Sequence, residues 1–146
     1  MIPVRPLLSV VVYFQPKREE LMKKVLIPTK LHAIARETLE KHGNYEVVQD
    51  ESSDLGTLAS QHPDTYALIV RSEKVTAEII DALPSLKVLH LEKTQITDAG
   101  LAKIARIRTL EELNIYSSPI TDAGLAHLTR LQSLHYLSLR RLDLGD

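Results

Sequence analysis

Three observations predict an α/β fold built on a parallel sheet. Short apolar runs rich in Val, Ile and Leu recur along the chain, centred near residues 27, 47, 69, 89, 113 and 137. The intervening stretches carry helical or turn signals, and connections of that length suit parallel strands joined by right-handed crossovers. In the second half the spacing becomes a strict repeat. Leu86, Leu89, Leu91, Thr94, Ile96 and Leu101 recur 24 residues later as Leu110, Leu113, Ile115, Ser118, Ile120 and Leu125. The pattern begins again as Leu134, Leu137, Leu139, Leu142 and Leu144, and a fixed period of this size marks stacked repeating units.

Taken in order, residues 1–21 contain Pro3, Pro6 and Pro16 and show neither the 3.6 nor the 2.0 period of a packed element. They read as a loose leader ahead of a start at Met22. Residues 25–28 (VLIP) form a first strand, which Pro28 ends by withdrawing a donor. Leu31, Ile34, Ala35 and Leu39 then share one face of a helix that stops at Gly43. Residues 45–49 (YEVVQ) make a second strand. Asp54 is placed to cap a short helix carrying Leu55, Leu58 and Ala59. Residues 67–70 (ALIV) make the third strand, Thr76 caps the helix that ends before Pro84, and residues 86–91 make the fourth strand.

Composition narrows the classes of function. At 146 residues the chain can bury a core of ordinary size, and without cysteine it has neither disulfides nor thiolate metal ligands. That suits a cytoplasmic location. The net charge is −1, so no basic excess points to nucleic acid. No apolar run reaches the roughly 20 residues of a membrane span. Residues 7–14 (LLSVVVYF) lack the basic start and cleavage site of a signal peptide.

Residues 23–89 carry KKVLIP, LHAIARETLEKHG, YEVV, YALIVRS, KVTAEII and LPSLKVL. This segment resembles the first half of the substrate-binding (catalytic) domain of D-3-phosphoglycerate dehydrogenase and other D-isomer-specific 2-hydroxyacid dehydrogenases. The resemblance implies a flavodoxin-like sheet of order 2-1-3-4, with Arg71 and Ser72 contacting an anionic substrate group. Ligands of open α/β sheets sit beyond the carboxyl ends of the strands at the switch point. Thr29 and Lys30 follow strand 1 there, so Lys30, Arg71 and Ser72 form a candidate site for a small carboxylate or phosphate. The other reading makes Lys30 and Arg71 solvated strand-end charges.

The departures from that family point away from catalysis. A single Glu73 stands between Arg-Ser and Lys-Val-Thr, one residue fewer than in the family, so the loop is expected to be reshaped. After strand 4 the chain continues with residues 90–95 (HLEKTQ) instead of a glycine-rich loop and a nucleotide-binding domain. Its five glycines cannot form G-x-G-x-x-G. The expectation is a chain inactive alone, with no cofactor; NAD enters only if a nucleotide-binding domain is supplied elsewhere. Any activity would be that of a D-2-hydroxyacid (3-phosphoglycerate) dehydrogenase-type oxidoreductase.

TDAGLA occurs at residues 97–102 and again at 121–126. These repeats resemble the I-T-D-A-G-L leucine-rich repeats common in bacterial proteins. Thr97 and Thr121 are candidate caps, Asp98 and Asp122 suit the first helical turn, and Thr94 and Ser118 occupy the place of a hydrogen-bonding ladder. Leu142 breaks that column in the third copy. Between the buried positions, alternation turns three columns outward: Val88, Glu112 and Tyr136; His90, Asn114 and Ser138; Glu92, Tyr116 and Arg140. Such residues either form a protein-binding face or are solvated strand residues.

The domain organisation expected is a leader at 1–21, a dehydrogenase-type half-domain at 22–91 and about two and a half leucine-rich repeats at 83–146. The two overlap at strand 4 in one continuous sheet, with the helices after strands 3, 4 and 5 on one face. The function expected is a non-catalytic interaction module with a protein partner on Glu112, Tyr136, His90, Asn114, Glu92, Tyr116 and Arg140. The alternative is a fragment or remnant of an NAD-dependent dehydrogenase that keeps a substrate-anion site. The array stops partway through its third repeat at Asp146, and an uncapped edge invites self-association.

Overall fold

The computed structural model describes residues 22–29 and 33–142. The leader expected at 1–21, as well as Leu31, Leu144 and Asp146, lie outside the described residues. Six strands alternate with helical segments: β1 (Lys23–Ile27), α1 (Ala33–Lys41), β2 (Tyr45–Gln49), α2 (Leu55–Gln61), β3 (Ala67–Arg71), α3 (Ala77–Asp81) and β4 (Val88–Glu92). They continue with α4 (Asp98–Ile104), β5 (Glu112–Tyr116), α5 (Asp122–Leu125), a 3-10 turn (Ala126–Arg130) and β6 (Tyr136–Arg140). The strands form one parallel sheet in the order β2-β1-β3-β4-β5-β6.

That order places the helices. The step from β1 to β2 runs one way along the sheet and every later step the other way. Right-handed crossovers therefore put α1 on one face and α2 to α5 on the opposite face. On the α2 side one continuous core holds Leu26, Leu58, Leu68, Ile80, Leu89, Leu101, Leu113 and Ile115. On the α1 side a smaller cluster of Val25, Ile27, Val47 and Ala67 is buried. Strand burial records where the second cover ends. β1 is buried through Val25, Leu26 and Ile27, whereas β4 and β5 alternate half-buried and buried positions. From β4 onward one face of the sheet is therefore open.

From β3 on, the strands pair without stagger: Arg71 lies beside Glu92, Glu92 beside Tyr116 and Tyr116 beside Arg140. The residue after each of these strands, Ser72, Lys93, Ser117 and Arg141, has a φ between 51° and 72°. A non-glycine residue in this region is strained by about 1–2 kcal/mol. The first three offset that strain with an amide bond to the next strand, Ser72 N to Glu92 O, Lys93 N to Tyr116 O and Ser117 N to Arg140 O, each 2.9 Å.

Some local expectations are corrected. Ile34 does not face the core: it is 65% exposed, and α1 buries no residue. The helix rests on the edge strand β2, where Leu39 packs against the smaller cluster. Asp54 does cap α2, accepting from Thr57 N at 2.9 Å. Thr76, Thr97 and Thr121 hold N-cap positions without a side-chain cap bond. The Asp98 carboxylate instead reaches into the next repeat, accepting from Thr121 N at 2.8 Å and from Thr121 Oγ1 at 2.6 Å. Those two bonds, the hydroxyl first, hold its pKa below the ordinary carboxylate value. Thr94 and Ser118 are buried in register, but their hydroxyls have no hydrogen-bond partner among the described residues, so they form no ladder.

The Asp98 latch gives the two repeat glycines different duties. A Cβ on Gly124 would fall on the Asp98 carboxylate, while one on Gly100 would meet only the Ile96 side chain, Cδ1 at 3.1 Å and Cγ2 at 3.4 Å. Gly124→Ala is expected to destabilise the chain by about 1–3 kcal/mol, in the range of overpacking, and Gly100→Ala by less, as read by urea unfolding. Equal effects would show that the latch is not what excludes a side chain at 124. Because folding lowers the Asp98 pKa, its stabilising contribution is present above the unfolded value and is lost as pH falls through the folded one. Asp98→Asn should accordingly flatten the acid limb of the stability curve.

The unpaired hydroxyls lead to a second expectation. A buried polar group left without a partner costs about 1–3 kcal/mol. Thr94→Val is thus expected to raise the unfolding midpoint; a drop would mean that the hydroxyl is satisfied in solution.

Candidate functional site

The open face and the carboxyl ends of β3 to β6 define one cleft of about 380 Å³. Thr29 from the end of β1, Ile69 and Arg71 from β3, His90 and Glu92 from β4, Asn114 and Tyr116 from β5 and Arg140 from β6 line it. The unstaggered register explains the grouping: Ile69, His90, Asn114 and Ser138 share one row, and Arg71, Glu92, Tyr116 and Arg140 the next. Sequence alone separates an anion site around Arg71 from a repeat face beginning at β4. The structure merges them, because Arg71 is the first member of the Glu92 row.

Not every expected residue joins. Ser72 does not line the cleft, and its amide is committed to Glu92 O at 2.9 Å. Lys30 lies outside the described residues. Val88 packs against the α1-side cluster, so its column is a free surface only at Glu112 and Tyr136. Tyr136 is 47% exposed on the outermost strand and lies beyond the cleft wall.

The chemistry of the cleft is mixed. Arg71 Nε approaches Glu92 Oε1 at 3.5 Å, with the two side chains 63% and 44% exposed. Such a pair contributes only about 0–1 kcal/mol, so it leaves the guanidinium free to be recruited by a ligand. The Arg71 amide accepts no such freedom: it donates to Glu73 Oε2 at 2.6 Å. Desolvation by burial pushes the His90 pKa down, against a weaker pull upward from Glu112. Its imidazole is therefore neutral at pH 7, able both to donate and to accept. The Arg141 guanidinium lies 5.5 Å from the centre of the Tyr116 ring, a cation-π contact that steadies the ring. Arg141 and Glu73 escape a reading by strand alternation because both sit in loops just past a strand end.

Residues 25–94 match the catalytic domain of D-isomer specific 2-hydroxyacid dehydrogenases, and residues 106–128 match a leucine-rich repeat. The chain carries a dehydrogenase-type half and a repeat half on one sheet. The first match ends at Thr94, just past β4, and the second runs from just past α4 through β5 and α5. A crystal structure of an internalin from Listeria monocytogenes is similar, at 25% identity and a TM-score of 0.53. The likeness covers 70% of this chain and 29% of the internalin chain. No curated protein sequence matches the chain. The segment matching the dehydrogenase domain contributes Thr29, Ile69, Arg71, His90 and Glu92 to the cleft, the segment matching the repeat contributes Asn114 and Tyr116, and Arg140 lies beyond both matches.

Proposed function

We propose that the chain is a non-catalytic interaction module whose open sheet face binds an extended protein segment. The observation that supports this reading most strongly is the single row Arg71, Glu92, Tyr116, Arg140, which crosses from one half into the other. Four strands at about 4.8 Å spacing make a row of roughly 14 Å, long enough for several residues of an extended partner. Tyrosine and arginine are the usual anchors of such surfaces, and the neutral His90 with Asn114 offers directional hydrogen bonds between them. The internalin likeness agrees with a repeat-type recognition surface. Among the described residues no helix is long and apolar enough to cross a membrane, and the cysteine-free composition favours a cytoplasmic setting.

The outermost strand supports a second contact, between copies of the chain. Leu137 is 43% exposed although its counterpart one repeat earlier, Leu113, is fully buried. Among the described residues no strand pairs with the outer side of β6, and a parallel edge with a half-covered leucine is a natural pairing surface.

The test of the interaction reading uses the purified chain. A partner captured by it is identified, and its affinity is measured by calorimetry against Tyr116→Ala and Arg140→Ala. Anchors of this type contribute about 2 kcal/mol or more, so each variant is expected to bind at least tenfold more weakly. Unchanged affinity in both would remove the cleft from the interface.

The dehydrogenase match over residues 25–94, which includes Arg71 and Ser72, favours a different reading, a remnant that retains a substrate-anion site. Calorimetry with 3-phosphoglycerate decides between them. Saturable heat that disappears in Arg71→Ala supports the remnant, and its absence from the native chain leaves the interaction module.

A further inference from the structure

The switch point lies between β1 and β3, which pair only through Val25 with Ala67 and Leu26 with Leu68. Beyond those pairs no ladder joins the two strands, and the crevice outside the carboxyl ends at a switch point is where ligands of open α/β sheets are held. Successive amides alternate sides along a strand. That of Ser72 is bonded to β4 through Glu92 O, so that of Arg71 faces β1, which has already ended at Ile27. The Arg71 amide is thus the donor that β3 presents to the crevice. It is taken by the chain's own Glu73 carboxylate at 2.6 Å.

Two further described donors near the same end of the sheet are satisfied in the same manner. Asp54 accepts from Thr57 N at the start of α2, and Asp50 Oδ1 accepts from Ser52 N at 2.7 Å. Glu73 and Asp54 also line one pocket, together with Glu51 and the buried Pro28, which has no amide to offer. An incoming anion would meet carboxylates at each of these places and would have to displace Glu73 to reach the Arg71 amide.

We propose that Glu73 is a specificity-determining residue of this face: its carboxylate plugs the switch-point donor and closes the crevice to small carboxylates and phosphates. The short loop makes the plug possible. With only Ser72, in a left-handed conformation at φ 72°, between them, the Glu73 side chain folds back onto the amide two residues earlier. The plug leaves the row from Glu92 to Arg140 untouched, so it adds to the interaction reading without depending on the partner.

The test is a gain of binding. The Arg71 backbone amide resonance is followed by NMR during titration of the full chain with inorganic phosphate and, separately, with glycolate. The native chain is expected to show no saturable shift at concentrations that saturate Glu73→Ala, a difference of at least tenfold in affinity. Glu73→Gln keeps the shape while removing the charge, so it should fall between the two and provides the reading if the alanine variant does not fold. Arg71→Ala in the Glu73→Ala background should weaken the new site. Equal affinity in the native chain, or no saturable shift in either Glu73 variant, would overturn the proposal. Because Glu73 does not line the cleft, the Tyr116 and Arg140 variants report on partner binding independently.

Discussion

The unstaggered parallel ladder from β3 to β6 is the constraint on which the remaining features depend. Each strand end is fixed by an amide in left-handed conformation that bonds to the last carbonyl of the next strand. The geometry is local and repeats at a constant offset along the repeats, so it also stacks side chains into straight rows. A shift of one residue at any interface would send Leu89, Leu113 and Leu137 to the open face. Burial of the leucines therefore sets the register, and the register assembles the cleft. The sheet runs through β4 without a break because Leu89 and Leu91 point inward there under helices on the same side, as Leu68 does in β3 and Leu113 in β5.

Carboxylates carry out much of the remaining organisation. Asp98 joins one repeat to the next, Asp54 caps α2, Glu111 meets Lys87 at 2.8 Å across adjacent repeats, and Glu73 occupies the Arg71 amide. None of these exposed contacts rivals the apolar core, where each fully buried leucine contributes about 1.5–3 kcal/mol. Their effect is positional. They decide which backbone donors remain available, and around the switch point they leave few. The Arg71 amide, which β3 would otherwise leave open, is met by a carboxylate from the chain itself.

Much of this architecture is legible in the sequence because it rests on periodicity. The leucines at 86, 89 and 91 and their copies announce both the strands and the inward face, and alternation then fixes the columns from Glu112 to Arg140. What periodicity does not reach are contacts that leave the element in which they begin. Asp98 looks like an ordinary first-turn acid until its partner in the next repeat is known. Ile34 obeys the helical spacing, but the helix sits over an edge strand with too little surface beneath it to bury that side. Thr94 and Ser118 occupy the ladder position, yet their buried hydroxyls have no partner among the described residues. Arg71 belongs to the Glu92 row only because β3 and β4 lie side by side at an offset of 21 residues instead of 24, a step that the repeat alone does not reveal.

The open face follows from the same topology. A sheet in which every step after β2 runs in one direction receives all its later helices on one side, since each crossover is right-handed. Only the reversed first step puts a helix on the other side, and α1 reaches no farther than the strands near it. The half-buried alternation in β4 and β5 is the outcome, with polar and aromatic residues where a doubly covered sheet would need aliphatic ones. Among the described residues no helix follows β6 to cover its inner side, and Leu137 is exposed where Leu113 is not. The two unfinished surfaces thus have different chemistry. The face carries polar and aromatic side chains in straight rows, while β6 presents the backbone pattern of the preceding strands together with the half-covered Leu137.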